Sequence, residues 1–90
     1  MDAEKINNLK ALLDKEHDWP SHYRFKFIYK STSLIKGQLE AIFPKGSEHI
    51  IKKSSKENYE SLTVNHLAKS ADEILDLYKE ASLIKGLITL

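Results

Sequence analysis

The chain predicts an α+β fold of four strands and two helices, in the order strand–helix–strand–strand–helix–strand, with a further helical segment in front. Three observations carry this. Ser21 to Lys30 alternates its side chains with a period of two, aromatic on one face. Two stretches, one after Ser31-Thr32-Ser33 and one after Ser70, gather apolar residues on a helical face. Between them, two strand-like runs are joined by a short polar link, which is the pattern of an antiparallel hairpin.

The elements follow in order. Asp2 to about Asp14 carries Ile6, Leu9 and Leu13 at helical spacing. That stripe is narrow, so this helix is expected to lie on a surface, with the uncovered sheet face as one place it would shield. Pro20 biases Trp19 toward an extended backbone and marks a boundary. The organisation read from this is one domain over residues 1–90, with 1–18 a helical extension and 21–90 the core. In the first strand Tyr23, Phe25, Phe27 and Tyr29 alternate with Arg24, Lys26, Ile28 and Lys30. Ser31, Thr32 and Ser33 offer hydroxyls to cap a helix whose apolar half is Leu34, Ile35, Leu39, Ile42 and Phe43. Pro44-Lys45-Gly46 stops it.

Glu48 to about Ser54 and Tyr59 to His66 are the hairpin strands, with Ser54 to Asn58 as the turn. Ser70 and Glu73 form a capping box, each placed to satisfy the other's amide. Ala71, Ile74, Leu77, Tyr78, Ala81 and Ile84 share the last helix's apolar face. Gly86 stands where helices commonly end in a left-handed residue. Leu87 to Leu90 is a short closing strand. Ser-Leu-Ile-Lys-Gly occurs at 33–37 and again at 82–86. One copy opens a helix and the other closes one, so it is read as coincidence rather than duplication. The segment order as a whole is the ferredoxin-like split pattern, with both internal helices on one face of a four-stranded antiparallel sheet.

Strand parity then assigns faces. A turn centred near Lys56 sets Ile50 opposite Leu62 and Lys52 opposite Glu60, an apolar pair and an opposite-charge pair. Phe25, Phe27, Ile50, Leu62 and Val64 would face the helices. Arg24, Lys26, Ile28, His49, Ile51, Lys53, Tyr59, Ser61 and Thr63 would share the other face. This second face is a solvated surface or a docking face for an anionic ligand or a partner.

Composition narrows the function classes. The chain of 90 residues has 14 Lys+Arg against 13 Asp+Glu and no cysteine. Near-balance argues against a dedicated nucleic-acid binder. A chain without cysteine has no disulfide framework, thiolate nucleophile or cysteine zinc site. The polar start of the chain lacks a signal-peptide pattern and no apolar run is long enough to span a membrane, so the cytoplasm is the expected compartment. His17, His22, His49 and His66 make no zinc-binding helix pattern and read as surface or packing residues. His17 and His22 flank Trp19-Pro20 and are close enough in sequence to approach each other. Gly37, Gly46 and Gly86 are too dispersed for a phosphate-cradling loop. Lys52-Lys53-Ser54-Ser55-Lys56 reads as a charged tip that discourages edge pairing, with a phosphate contact as the alternative. Trp19 reads as the anchor of the leading segment. No catalytic, cofactor-binding or metal-binding residue is assigned, and no ligand site is identified.

Trp19-Pro20, then Tyr23-Arg24-Phe25-Lys26-Phe27-Ile28, and later Ile84-Lys85-Gly86-Leu87-Ile88 resemble the YbeD-like family of small bacterial proteins, a domain-of-unknown-function group. The resemblance covers nearly the whole chain. It implies a ferredoxin-like fold similar to ACT regulatory domains, which sense small molecules at subunit interfaces. It carries no catalytic residue over. The glycine-containing turn that ACT ligand sites use after the first strand has no counterpart at residues 30–33. The expectation is therefore a non-enzymatic regulatory or adaptor module that binds a metabolite or a protein and has sheet edges suited to a homodimer. The competing expectation is weak nucleic-acid binding by Arg24, Lys26, Lys53 and Tyr59. Acylphosphatase-type and RNA-recognition readings of the same architecture fail on the loop after the first strand and on the helix-facing aromatics.

Overall fold

The alternation of Ser21 to Lys30 becomes a ten-residue strand that organises the core. The computed structural model describes residues 3–54, 56 and 58–90. Its elements are α1 (Ala3–Glu16), β1 (Ser21–Lys30), α2 (Ile35–Ile42), β2 (Glu48–Lys53), β3 (Tyr59–Ala68), α3 (Ala71–Ser82) and β4 (Ile88–Thr89). The strands form one antiparallel sheet in the order β2-β3-β1-β4. The result is an α+β architecture with a four-stranded open sheet and three helices. Among the described residues no helix is long and apolar enough to cross a membrane.

Phe25, Phe27 and Tyr29 are buried beneath α2 and α3 together with Leu62 and Val64 of β3. Ile35, Leu39 and Phe43 close over them from α2 and its C-cap. Ala71, Ile74, Leu77 and Ala81 do so from α3. Rings of Phe25 and Phe43 meet edge to face at 5.0 Å, a geometry that adds to the gain from area burial alone. Each fully buried Phe, Leu or Ile here stabilises the fold by about 1.5–3 kcal/mol relative to an exposed one.

Several details differ from the sequence reading. Leu34 is exposed rather than on the apolar half of α2. The N-cap of α2 is Leu34, with no side-chain capping bond, rather than Ser31, Thr32 or Ser33, so the helix begins one residue later than the apolar stripe suggested. The Ser33 hydroxyl accepts from the Ile35 amide at 3.4 Å from outside the helix. At α3 the Ser70 hydroxyl accepts from the Glu73 amide at 3.2 Å, as a capping box requires. The reciprocal half is redirected: the Glu73 carboxylate accepts from His66 Nε2 at 2.6 Å and from the Lys69 amide at 3.3 Å. Gly86 does adopt a left-handed φ of +84°, but α3 ends earlier, at Ser82, so the glycine turns the chain into β4.

The leading helix does not shield the open side of the sheet. α1 lies against α3, with Leu13 buried in the common core and Lys10 Nζ 3.1 Å from Asp72 Oδ1. Trp19 Nε1 donates to Asp14 Oδ1 at 3.0 Å and the indole stacks on His17. These contacts fasten α1 to the start of β1. His17 packs near Tyr23 on the helix side, whereas His22 points to the other side, so the two histidines do not meet.

Candidate functional site

The register of the hairpin decides which side chains share the uncovered face. Ile51 lies opposite Leu62, Ile50 opposite Thr63 and Lys53 opposite Glu60. The expected register is therefore wrong by one residue, and every β2 side chain changes face. The Ser54 amide donates to the Tyr59 carbonyl at 2.8 Å, so the pairing is not centred on Lys56. Of the expected Ser54 to Asn58 turn, Ser55 and Glu57 lie outside the described residues. His49, Ile51 and Lys53 belong to the helix side, and the His49 ring approaches Phe43 at 6.4 Å. Ile50 and Lys52 belong to the open face.

That face is built in rows that follow from the pairings. Glu48, Asn65 and Arg24 form one row, joined by Asn65 Nδ2 donating to Glu48 at 2.8 Å and Arg24 Nε donating to Asn65 at 3.3 Å. The next row is Ile50, Thr63 and Lys26, with Leu90 beside Lys26. Lys52, Ser61, Ile28 and Ile88 follow, then Tyr59 and Lys30. His22 and Leu67 close the far end. Among the described residues, the cations Arg24, Lys26, Lys30 and Lys52 thus stand on this face against a single side-chain carboxylate, Glu48. Ile50, Tyr59, Leu67, Ile88 and Leu90 are exposed among them. Shallow hollows mark the face. One of about 470 Å³ lies over Arg24, Asn65 and Glu48, and one of about 240 Å³ lies among Lys26, Ile28, Lys52 and Tyr59. Two more, of about 370 and 330 Å³, adjoin it at Lys30 and Tyr59.

The quartet Arg24, Lys26, Lys53 and Tyr59 is not a single surface, because Lys53 lies on the opposite side from the other three. Among the described residues Tyr59 is the one Phe, Tyr or Trp on this side of the sheet, with the imidazole of His22 at the far end. Base stacking needs a platform of rings, and here most of the apolar area is aliphatic.

The helix side holds polar arrangements that sequence reading missed, tyrosine bonds first. Tyr29 donates to Glu60 at 2.7 Å inside the core. Burial, and then the bond to Glu60, push the Tyr29 hydroxyl well above the ordinary tyrosine range. Burial and a bond to Tyr23 at 2.9 Å do the same to Tyr78. The signal for the first pair was present. Glu60 shares its parity with Leu62 and Val64, so a carboxylate was due on the buried face beside Tyr29.

The second arrangement is Ser47, His66 and Glu73. In the tautomer that donates Nε2–H to Glu73, His66 Nδ1 accepts from the Ser47 hydroxyl at 3.2 Å. Nucleophile, base and orienting carboxylate are the residue types of a hydrolytic relay. Here the imidazole is nearly enclosed, and neither open-face hollow is lined by Ser47 or His66. The three side chains belong to the α2–β2 loop, β3 and α3, and their bonds tie those elements together. Among the described residues no three of His, Asp and Glu are grouped to hold a metal ion.

Neither a curated protein nor a solved structure matches the chain. The family described as "Protein of unknown function (DUF493)" matches residues 14–89, from the last turn of α1 through β4. Both Trp19-Pro20 and Ile84 to Ile88 fall inside that span. The chain therefore belongs to this family, which is the YbeD-like family.

Proposed function

We propose that this protein is a non-enzymatic regulatory or adaptor module that docks a protein partner on the open face of its sheet. The observation that carries the reading is the composition of that face. Among the described residues Arg24, Lys26, Lys30 and Lys52 stand with one side-chain carboxylate, and exposed Ile50, Tyr59, Leu67, Ile88 and Leu90 lie among them. A partner segment bearing both carboxylates and apolar side chains complements the two properties together. The ferredoxin-like reading of the architecture is supported by the strand–helix–strand–strand–helix–strand order after α1 and by β1 and β3 at the sheet centre. A chain without cysteine suits a reducing compartment such as the cytoplasm.

A protein partner is favoured over a metabolite by the state of the hollows. The hollow of about 240 Å³ is smaller than the ~300–1,000 Å³ of typical small-molecule sites. The larger one is floored by Arg24, Asn65 and Glu48, whose polar groups already bond one another. At the connection where ACT domains hold their ligands, hollows of about 370 and 330 Å³ reach Lys30 to Ser33, but the connection has no glycine turn and closes on its own bonds. The Ser33 amide and hydroxyl both donate to the Lys30 carbonyl, at 3.0 and 2.6 Å.

Selection of a displayed library of random peptides on the immobilised full chain tests the proposal. Enriched sequences should combine Asp or Glu with apolar residues. Their binding should be lost in Lys26→Glu and weakened in Ile88→Ser. Failure to enrich any sequence, or enrichment of peptides whose binding ignores both substitutions, would overturn it.

A further inference from the structure

The outer edge of β2 is complementary to itself. β2 is an edge strand, and the bond from the Ser54 amide to Tyr59 fixes which of its backbone groups turn inward. Even-numbered residues bond β3, so the backbone N–H and C=O groups of His49, Ile51 and Lys53 point away from the sheet. Ile50 and Ile51 are each 40% exposed, one on either face of this edge.

Consider a second copy laid antiparallel along the edge about a two-fold axis. Outward-bonding residues must meet outward-bonding residues, which leaves registers centred on His49, Ile50, Ile51 or Lys52. Centring on Lys52 opposes two lysines. Centring on Ile51 sets Lys52 against Ile50, and centring on His49 sets Glu48 against Ile50. Centring on Ile50 brings the two Ile50 side chains together at a close, non-hydrogen-bonded position. It also sets Glu48 of each copy opposite Lys52 of the other, on the same face. His49 then exchanges backbone bonds with Ile51 of the second copy, about four bonds across the axis. Lys53 falls opposite Ser47. Glu48 already accepts from Asn65 through Oε1, which holds its carboxylate along the open face and leaves the other oxygen for a lysine.

We infer that β2 is a self-association edge, through which two copies of this chain join their sheets in the Ile50-centred register. Lys52 is then a pairing residue rather than only a guard against edge contacts. The inference does not rest on the docking reading, because association is measured with no partner present. Six-residue edges bury little area, so the dimer is concentration-dependent.

Sedimentation equilibrium of the full chain over a concentration series tests this. A monomer–dimer equilibrium is expected. Glu48→Lys and Lys52→Glu should each weaken it roughly thirtyfold, since two attractive cross-strand pairs become two repulsive ones. An equimolar mixture of the two variants should associate again, because one chain supplies two lysines and the other two carboxylates. Far-ultraviolet circular dichroism of each variant should match the parent, which separates lost pairing from lost folding. A monomer at every concentration, association that ignores both charge reversals, or a mixture that fails to restore it would overturn the inference.

Discussion

Replacing Tyr29 by Phe removes one oxygen atom and should cost a large part of the domain's stability. The ring stays, so the core keeps its volume and no cavity term arises. What is lost is the donor to Glu60, a residue only 8% exposed whose carboxylate accepts from the hydroxyl at 2.7 Å. A buried acceptor left without its partner costs about 1–3 kcal/mol. Taking ~2 kcal/mol, and ~4–8 °C per kcal/mol for a domain of this size, Tm should fall by about 10 °C. Urea unfolding followed by circular dichroism gives the free energy directly, provided the m-value is unchanged. The double variant Tyr29→Phe/Glu60→Leu should recover much of the loss, since replacing both partners by apolar groups removes the unmet demand. A loss under about 0.5 kcal/mol for Tyr29→Phe would refute the reasoning, because the carboxylate would then be satisfied from elsewhere, such as water at the sheet margin.

Other consequences are as direct. Tyr29 and Tyr78 both have raised folded-state values, so the stability they contribute is complete below the ordinary tyrosine value of about 10 and is lost as pH rises beyond it. Urea midpoints should fall steeply on the alkaline side, and less steeply in Tyr29→Phe/Tyr78→Phe; equal slopes would contradict the assignment. The chain has no cysteine, so a disulfide can report the register. Lys52→Cys/Ser61→Cys should oxidise readily, while Lys52→Cys/Glu60→Cys should not, and the reverse result would restore the register first expected from sequence. At Gly86 an added Cβ would meet only Ile35 Cδ1, at 3.6 Å, so the cost of Gly86→Ala comes from its φ of +84° and should be about 1 kcal/mol in thermal unfolding. A neutral substitution there would mean the turn relaxes.

The parts of this fold that were legible in the sequence are those where chemistry and period agree. In β1 the aromatic residues share one parity and the cations the other, so strand, bounds and buried face all follow. The hairpin register was not legible, for a reason visible in the residues. β2 reads Glu-His-Ile-Ile-Lys-Lys, and its Ile-Ile and Lys-Lys doublets look equally good after a one-residue slip. Only the length of the link breaks the tie, and no residue type announced it. The place of α1 was hidden because Ile6, Leu9 and Leu13 suit either side of the sheet. Its contacts with α3 and the Trp19–Asp14 bond settle it through tertiary structure alone. Half of the Ser70–Glu73 box was legible. The other half gave way to His66, a residue brought in by the β3–α3 connection that a local motif does not report.

The candidate face inherits this pattern. Arg24, Lys26 and Ile28 were assigned to it correctly from β1, while Ile50 and Lys52 replaced His49, Ile51 and Lys53 once the register was seen. The exchange matters to function, since it takes His49 off the exposed surface, sets Glu48, Ile50 and Lys52 along its β2 edge, and breaks up the group once read as a nucleic-acid site.

Amide chemical-shift mapping of the full chain with a library-selected acidic peptide tests the central claim most directly. The account predicts perturbations confined to Arg24, Lys26, Ile28, Ser61, Thr63, Ile88 and their open-face neighbours. Shifts concentrated on α1, α2 and α3, with the open face unmoved, would contradict it.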